Sequence, residues 1–207
     1  MIGARDIRKS WFSAVPTESL RRWALVGALA ALSACQAAPS GPEGSWSALP
    51  PDSARLTLAL PDLRGDARHV RFRSADGRYV EESAQWGDAG AGEPTAGLRL
   101  SEASPGPPLT DPASPEAILP GWTELQDKRP ALAEEGSSQN ALGPASWWRV
   151  GVGTSVCVIF LQRLPPRGTI AATLSGFYCN PSGTPLAPQA AATVVQAIGL
   201  RPRPQAP

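Results

Sequence analysis

Several short stretches of the chain place apolar residues at every second position, the spacing that turns one face of an extended strand toward a core. Leu56, Leu58 and Leu60 alternate with Thr57 and Ala59, and Val70 and Phe72 alternate with His69, Arg71 and Arg73. Asp76-Gly77 follows, a pair suited to a two-residue hairpin turn, so the pattern predicts a return strand over 78–86. A further short strand is expected at 98–100. Two apolar runs near the C-terminus, 156–161 and 173–179, flank Leu164-Pro165-Pro166-Arg167-Gly168, which reads as a turn between two strands. The helical period occurs once with clarity. Pro188 suits a first helical position, Ala191, Val194, Val195 and Ile198 share a face, and Gly199 suits a C-terminal stop.

Between these elements the pattern breaks. Residues 104–120 carry six prolines, which excludes a central strand or long helix and predicts a surface loop. Residues 122–135 are weakly helical at best, interrupted by Pro130, and 136–144 reads as another loop. Residues 36–53 are small, polar and proline-rich, the composition of a flexible tether. The expected architecture is α+β: one domain over 54–200, an antiparallel β-sheet with a C-terminal helix and a disulfide-linked hairpin, followed by a disordered tail at 201–207. An all-β fold is the alternative.

The N-terminal segment follows a different logic. Arg21 and Arg22 precede an uncharged run of about ten residues, which as a helix rises about 15 Å against a hydrocarbon thickness of about 30 Å. Such a run is too short to span a bilayer and has the form of a cleavable export signal. It ends in Leu32-Ser33-Ala34-Cys35, which resembles the lipobox of bacterial lipoproteins. The resemblance implies that Cys35 receives a lipid, that residues 1–34 are removed, and that 35–53 is a lipidated tether whose acyl chains together anchor the domain. The segment before Arg21 is long for such a signal, and initiation at Val15 would leave one of ordinary length. Ser19-Leu20-Arg21-Arg22 departs from a twin-arginine signal because Leu20 intervenes, which favours the general secretory route. Gln36, rather than Asp, follows the cysteine, and by the sorting logic of the family this implies the periplasmic face of the outer membrane.

Removing 1–34 takes five of the 19 basic and two of the 18 acidic residues, leaving 14 against 16 and a net charge of −2. So balanced a body offers no general attraction for nucleic acid or anionic lipid. Of three cysteines, Cys35 is assigned to the anchor, and Cys157 and Cys179 lie equidistant from Gly168 in the two strand-like runs. A hairpin centred there brings them together, and an even pair in an exported chain is most simply a disulfide.

Catalytic constellations are absent from the sequence. His69 is the only histidine and is expected on a polar strand face; neither a nucleophile elbow nor a phosphate loop occurs, and Gly151-Val152-Gly153 holds only half of a dinucleotide fingerprint. No catalytic residue, metal ligand or cofactor is assigned. Candidate interaction residues are Arg71 and Arg73, which project together from one strand face toward an anionic group, and Trp147 and Trp148, which cannot both point inward from a strand unless a second layer covers it. These features favour a non-enzymatic envelope lipoprotein that binds an envelope protein or cell-wall partner. A lipid-anchored hydrolase using carboxylates is the alternative.

Overall fold

The structure, a computed structural model, describes residues 43–104 and 114–202. The expected signal segment, Cys35, the first part of the tether, the centre of the proline-rich loop and residues 203–207 lie outside the described residues.

Asp76-Gly77 turns the chain as its composition predicts. Gly77 takes a φ of +68°, a conformation that costs glycine little, and joins β3 (Arg68–Ser74) to β4 (Tyr79–Trp86). Asp76 Oδ1 accepts hydrogen bonds from the Ser74 hydroxyl at 2.6 Å and the Arg78 backbone N–H at 3.0 Å. Those donors hold the Asp76 carboxyl below the usual carboxylate range. The next strand, β5 (Thr95–Ala103), has nine residues and extends well beyond the expected 98–100.

The folded domain starts earlier than residue 54. Residues Gly44–Ala48 form a strand, β1, paired antiparallel with β3, so the C-terminal part of the expected tether belongs to the sheet. Small, polar residues and prolines at 39, 42, 50 and 51 give 36–53 the composition of a linker, yet Pro50 and Pro51 lie just beyond the strand, where the chain leaves for a short 3-10 turn at Pro51–Ser53 and then β2 (Leu56–Leu58).

In the C-terminal half, β6 (Pro130–Asn140), β7 (Gly143–Val152), β8 (Ser155–Arg167) and β9 (Ile170–Cys179) form a continuous antiparallel meander. The 11-residue strand β6 therefore replaces the later part of the weak helix expected over 122–135 and most of the loop expected over 136–144, whose last two residues begin β7. Its sequence hides it because β6 is an edge strand whose inward positions are small or polar. Gly136 faces Trp147, and a Cβ there would come within 2.5 Å of the indole; Ser138 instead accepts a hydrogen bond from Trp147 Nε1 at 3.0 Å. Asn140 exchanges amide hydrogen bonds with the buried Gln162 at 3.0 and 3.1 Å. Size and polar complementarity, rather than apolar alternation, set this strand.

The eight strands run β1-β3-β4-β5-β9-β8-β7-β6, with every neighbouring pair antiparallel. Two meanders thus meet where β5 pairs with β9. One face is covered by the helix α2 (Pro188–Gln196) and by a ribbon of β2 with β10 (Ile198–Leu200), packed on Leu98, Leu100, Phe160 and Leu174. The opposite face is covered over its C-terminal half by the helical turn α1 (Pro115–Ile118) and the segment through Leu125, which pack on Val150, Ile159 and Phe177. Two covered faces explain why 156–161 is apolar without alternation.

Strand makes up 53% of the structure against 14% helix, so the fold is mainly β. The antiparallel sheet, the C-terminal helix and the linked hairpin stand from the expected architecture. The helix does not stop at Gly199. It ends at Ala197, and Gly199 lies within β10 opposite Thr57, where a Cβ would come within 2.6 Å of the threonine hydroxyl. Arg201, the first residue of the expected tail, is tied to the domain: its N–H donates to the Arg55 carbonyl at 2.8 Å. Among the described residues, no helix is long and apolar enough to cross a membrane.

Candidate binding surface

Strand pairing places one row of side chains straight across the less covered half of the second face. Trp46, Phe72, Glu81, Ser101, Thr173 and Arg163 are successive register partners on β1, β3, β4, β5, β9 and β8. Non-hydrogen-bonded antiparallel partners approach most closely, and the Trp46 and Phe72 rings accordingly meet at 5.3 Å between centroids. Phe72 in turn lies 6.0 Å from the Tyr79 ring. Trp46 is 58% exposed, the outer end of this aromatic run.

The run leads into a polar cluster. Glu81 accepts a hydrogen bond from the Tyr79 hydroxyl at 2.7 Å, and that hydroxyl also lies 3.2 Å from Ser101 Oγ. Arg99 Nε sits 3.0 Å from Glu81 Oε1 but off the hydrogen-bonding axis, so the contact is an ion pair. The same guanidinium stacks over Trp122 at 5.0 Å and donates to the Gly121 carbonyl. Burial is the main cause that pushes the Tyr79 phenol up to about 12, with the Glu81 carboxylate adding to it and the Ser101 bond opposing it. Tyr79 therefore remains a neutral donor across the physiological range. Next to this cluster Gly97 makes room for the edge-on contact of Trp122 with Phe177, 5.1 Å between centroids; a Cβ at 97 would meet both rings at 2.6 Å.

Glu81 and Glu82 point to opposite faces of β4, as consecutive strand residues must. Glu82, 3% exposed, accepts the Arg55 and Leu56 backbone N–H groups at 2.6 and 3.1 Å and meets Arg71 at 3.5 Å. Arg55 also binds Glu102 at 2.9 Å. These carboxylates dock the β2 ribbon onto the sheet. His69 lies on the same face, edge-on to Trp86 at 6.1 Å, with Nδ1 buried. Burial is the largest influence on it and lowers its pKa from 6.5; Glu82 opposes this and Arg201 adds to it. It is thus half-buried against a tryptophan instead of lying on an open polar face.

Cys157 and Cys179 are direct partners in β8 and β9, bonded to one another with their Cα atoms 4.1 Å apart. Trp147 and Trp148 lie on opposite faces of β7, and both faces are covered: Trp147 is 8% exposed beneath α2, and Trp148 packs half-buried beside α1. Arg71 and Arg73 do share a face, but Arg71 is engaged by Glu82 while Arg73 is exposed. Cys35 lies outside the described residues. Sequence reasoning missed Trp46, Tyr79, Glu81 and Arg99. The signal for Trp46 was Ser45-Trp46-Ser47, a single large apolar residue between small polar ones.

Among the described residues, no three His, Cys, Asp or Glu side chains are grouped to hold a metal ion. Comparison of the chain with protein-family models, with curated proteins and with solved structures finds no match.

Proposed function

We propose that this chain is a bacterial envelope lipoprotein, anchored through Cys35 to the periplasmic face of the outer membrane, whose β domain is a binding or assembly module and not a catalyst. The observation that carries the reading is the pairing of the cysteines. Two of the three are joined within the sheet, and the third, Cys35, stands at the lipobox position. A disulfide between adjacent strands is at home in an oxidising compartment, which agrees with export. The domain begins at β1, so only the eight residues 36–43 separate anchor from sheet. Trp46, exposed immediately after that short connection, is the surface residue best suited to contact another protein of the envelope.

Fractionation of the full chain expressed in a Gram-negative host tests the anchor. Wild type is expected in the outer-membrane fraction, and Cys35→Ser in the soluble periplasmic fraction. A Cys35→Ser form that stays with the membrane as fully as wild type overturns the reading.

A further inference from the structure

The two outer edges of the sheet are built differently. β6 carries the usual guards against strand addition: Pro130 at its start, a register shift between Leu132 and Glu134, and two consecutive acids at 134 and 135. β1, Gly-Ser-Trp-Ser-Ala, has no charge, no proline and no bulge, and all five residues are exposed. An unguarded uncharged edge is a template for another strand.

The hydrogen bonds to β3 fix which groups that edge offers. The Leu49 N–H donates to the His69 carbonyl at 3.0 Å, and the Ala75 N–H donates to the Glu43 carbonyl at 2.7 Å. Antiparallel pairing alternates, so Ser45 and Ser47 also turn their backbone groups toward β3, and Gly44, Trp46 and Ala48 turn theirs outward. The strand is also nearly symmetric about its centre: small, serine, tryptophan, serine, small.

The geometry points to a second copy of this chain as the occupant of the β1 edge, paired antiparallel about a two-fold axis through Trp46. In that register Gly44 faces Ala48 of the second copy, Ser45 faces its Ser47, and Trp46 faces its Trp46. Every outward N–H and carbonyl of Gly44, Trp46 and Ala48 is then used. The two indoles lie together on one face, continuing the row from Phe72, and the serines meet on the other. Arg71 and Arg73 of the two copies stand on β3 strands three spacings apart, about 14 Å, beyond the screening length of about 8 Å, so their like charge does not oppose the pairing. The inference does not depend on the lipid anchor, although it suits one. The starts of the two antiparallel strands are four residue rises apart along the strand, about 15 Å in all, within the ~28 Å reach of eight residues.

Cross-linking of the full chain in native membranes tests it. A hydrogen-bonded antiparallel pair has Cα atoms about 5.5 Å apart, inside the range a disulfide spans. Trp46→Cys is therefore expected to form a covalent dimer on mild oxidation with a yield at least about tenfold above that of Leu132→Cys, a comparably exposed site on the guarded edge. In detergent solution, Trp46→Lys places two cations face to face and is expected to weaken dimerisation at least about tenfold while leaving the circular dichroism of the sheet unchanged. Equal cross-linking at 46 and 132, or a dimer of undiminished affinity in Trp46→Lys, overturns the inference. Cys35→Ser carrying Trp46→Cys separates the two readings, because it is expected to leave the membrane and still cross-link.

Discussion

The Trp46 ring rests 5.3 Å from that of Phe72, one of them 58% exposed and the other 9%, so a single aromatic contact joins the open edge of the sheet to its interior. The two rings have different tasks. Phe72→Ala removes a buried ring and is expected to cost about 3 kcal/mol, whereas Trp46→Ala changes stability by less than about 1 kcal/mol. Urea unfolding monitored by circular dichroism distinguishes them. A Trp46→Ala loss as large as that of Phe72→Ala would mean that Trp46 is a structural residue and not a contact surface.

Glu82 is the pin of the β2 ribbon. Its replacement by alanine leaves the Arg55 and Leu56 N–H groups and the Arg71 guanidinium without their carboxylate, and the expected loss is about 3 kcal/mol. Glu82→Gln keeps one carbonyl acceptor and is expected to recover part of that loss. Hydrogen exchange at Arg55 and Leu56 localises the effect. Unchanged protection of both amides in Glu82→Ala would contradict it.

Acidification should weaken the fold through His69. Burial lowers its pKa from 6.5, so between the lowered value and 6.5 the unfolded chain binds more protons than the folded one. Stability is therefore complete above 6.5 and falls as the pH drops through that window. The wild-type urea midpoint is expected to fall more between about pH 7.5 and about pH 5.5 than that of His69→Gln, which lacks the titrating group. Parallel profiles would show that His69 does not contribute.

The disulfide closes a hairpin between residues 22 apart. Replacing both cysteines with alanine is expected to cost about 3 kcal/mol, mainly by freeing the unfolded chain. Denaturation of wild type with and without reductant should give a similar difference. A loss below about 1 kcal/mol would show that the strand pairing alone fixes the hairpin.

The parts of the fold legible in the sequence are those where one rule dominates. Asp76-Gly77 announces a hairpin because few other pairs suit its turn, and Cys157 and Cys179 announce theirs by symmetry about Gly168, whose φ of +64° starts the return. Pro188 and the spacing from Ala191 to Val195 mark the helix. β6 is illegible because its inward residues, Gly136, Ser138 and Asn140, fit Trp147 on β7 and Gln162 on β8, one strand further in, a constraint that no local pattern carries. β1 is hidden by the small, polar residues it contains and the prolines on both sides of it. The covering of both Trp147 and Trp148 is not legible because the layer on the second face comes from a short segment, 115–125, that gives almost no periodic signal.

Whether Cys35 is the lipid-bearing N-terminus of the mature protein is decided by mass spectrometry of the N-terminal peptide of protein isolated from bacterial membranes. The expected peptide begins at Cys35 and carries both a thioether-linked diacylglyceryl group and an N-acyl chain. A peptide that runs through Ala34 into an unmodified Cys35, recovered from the bulk of the protein, would contradict it.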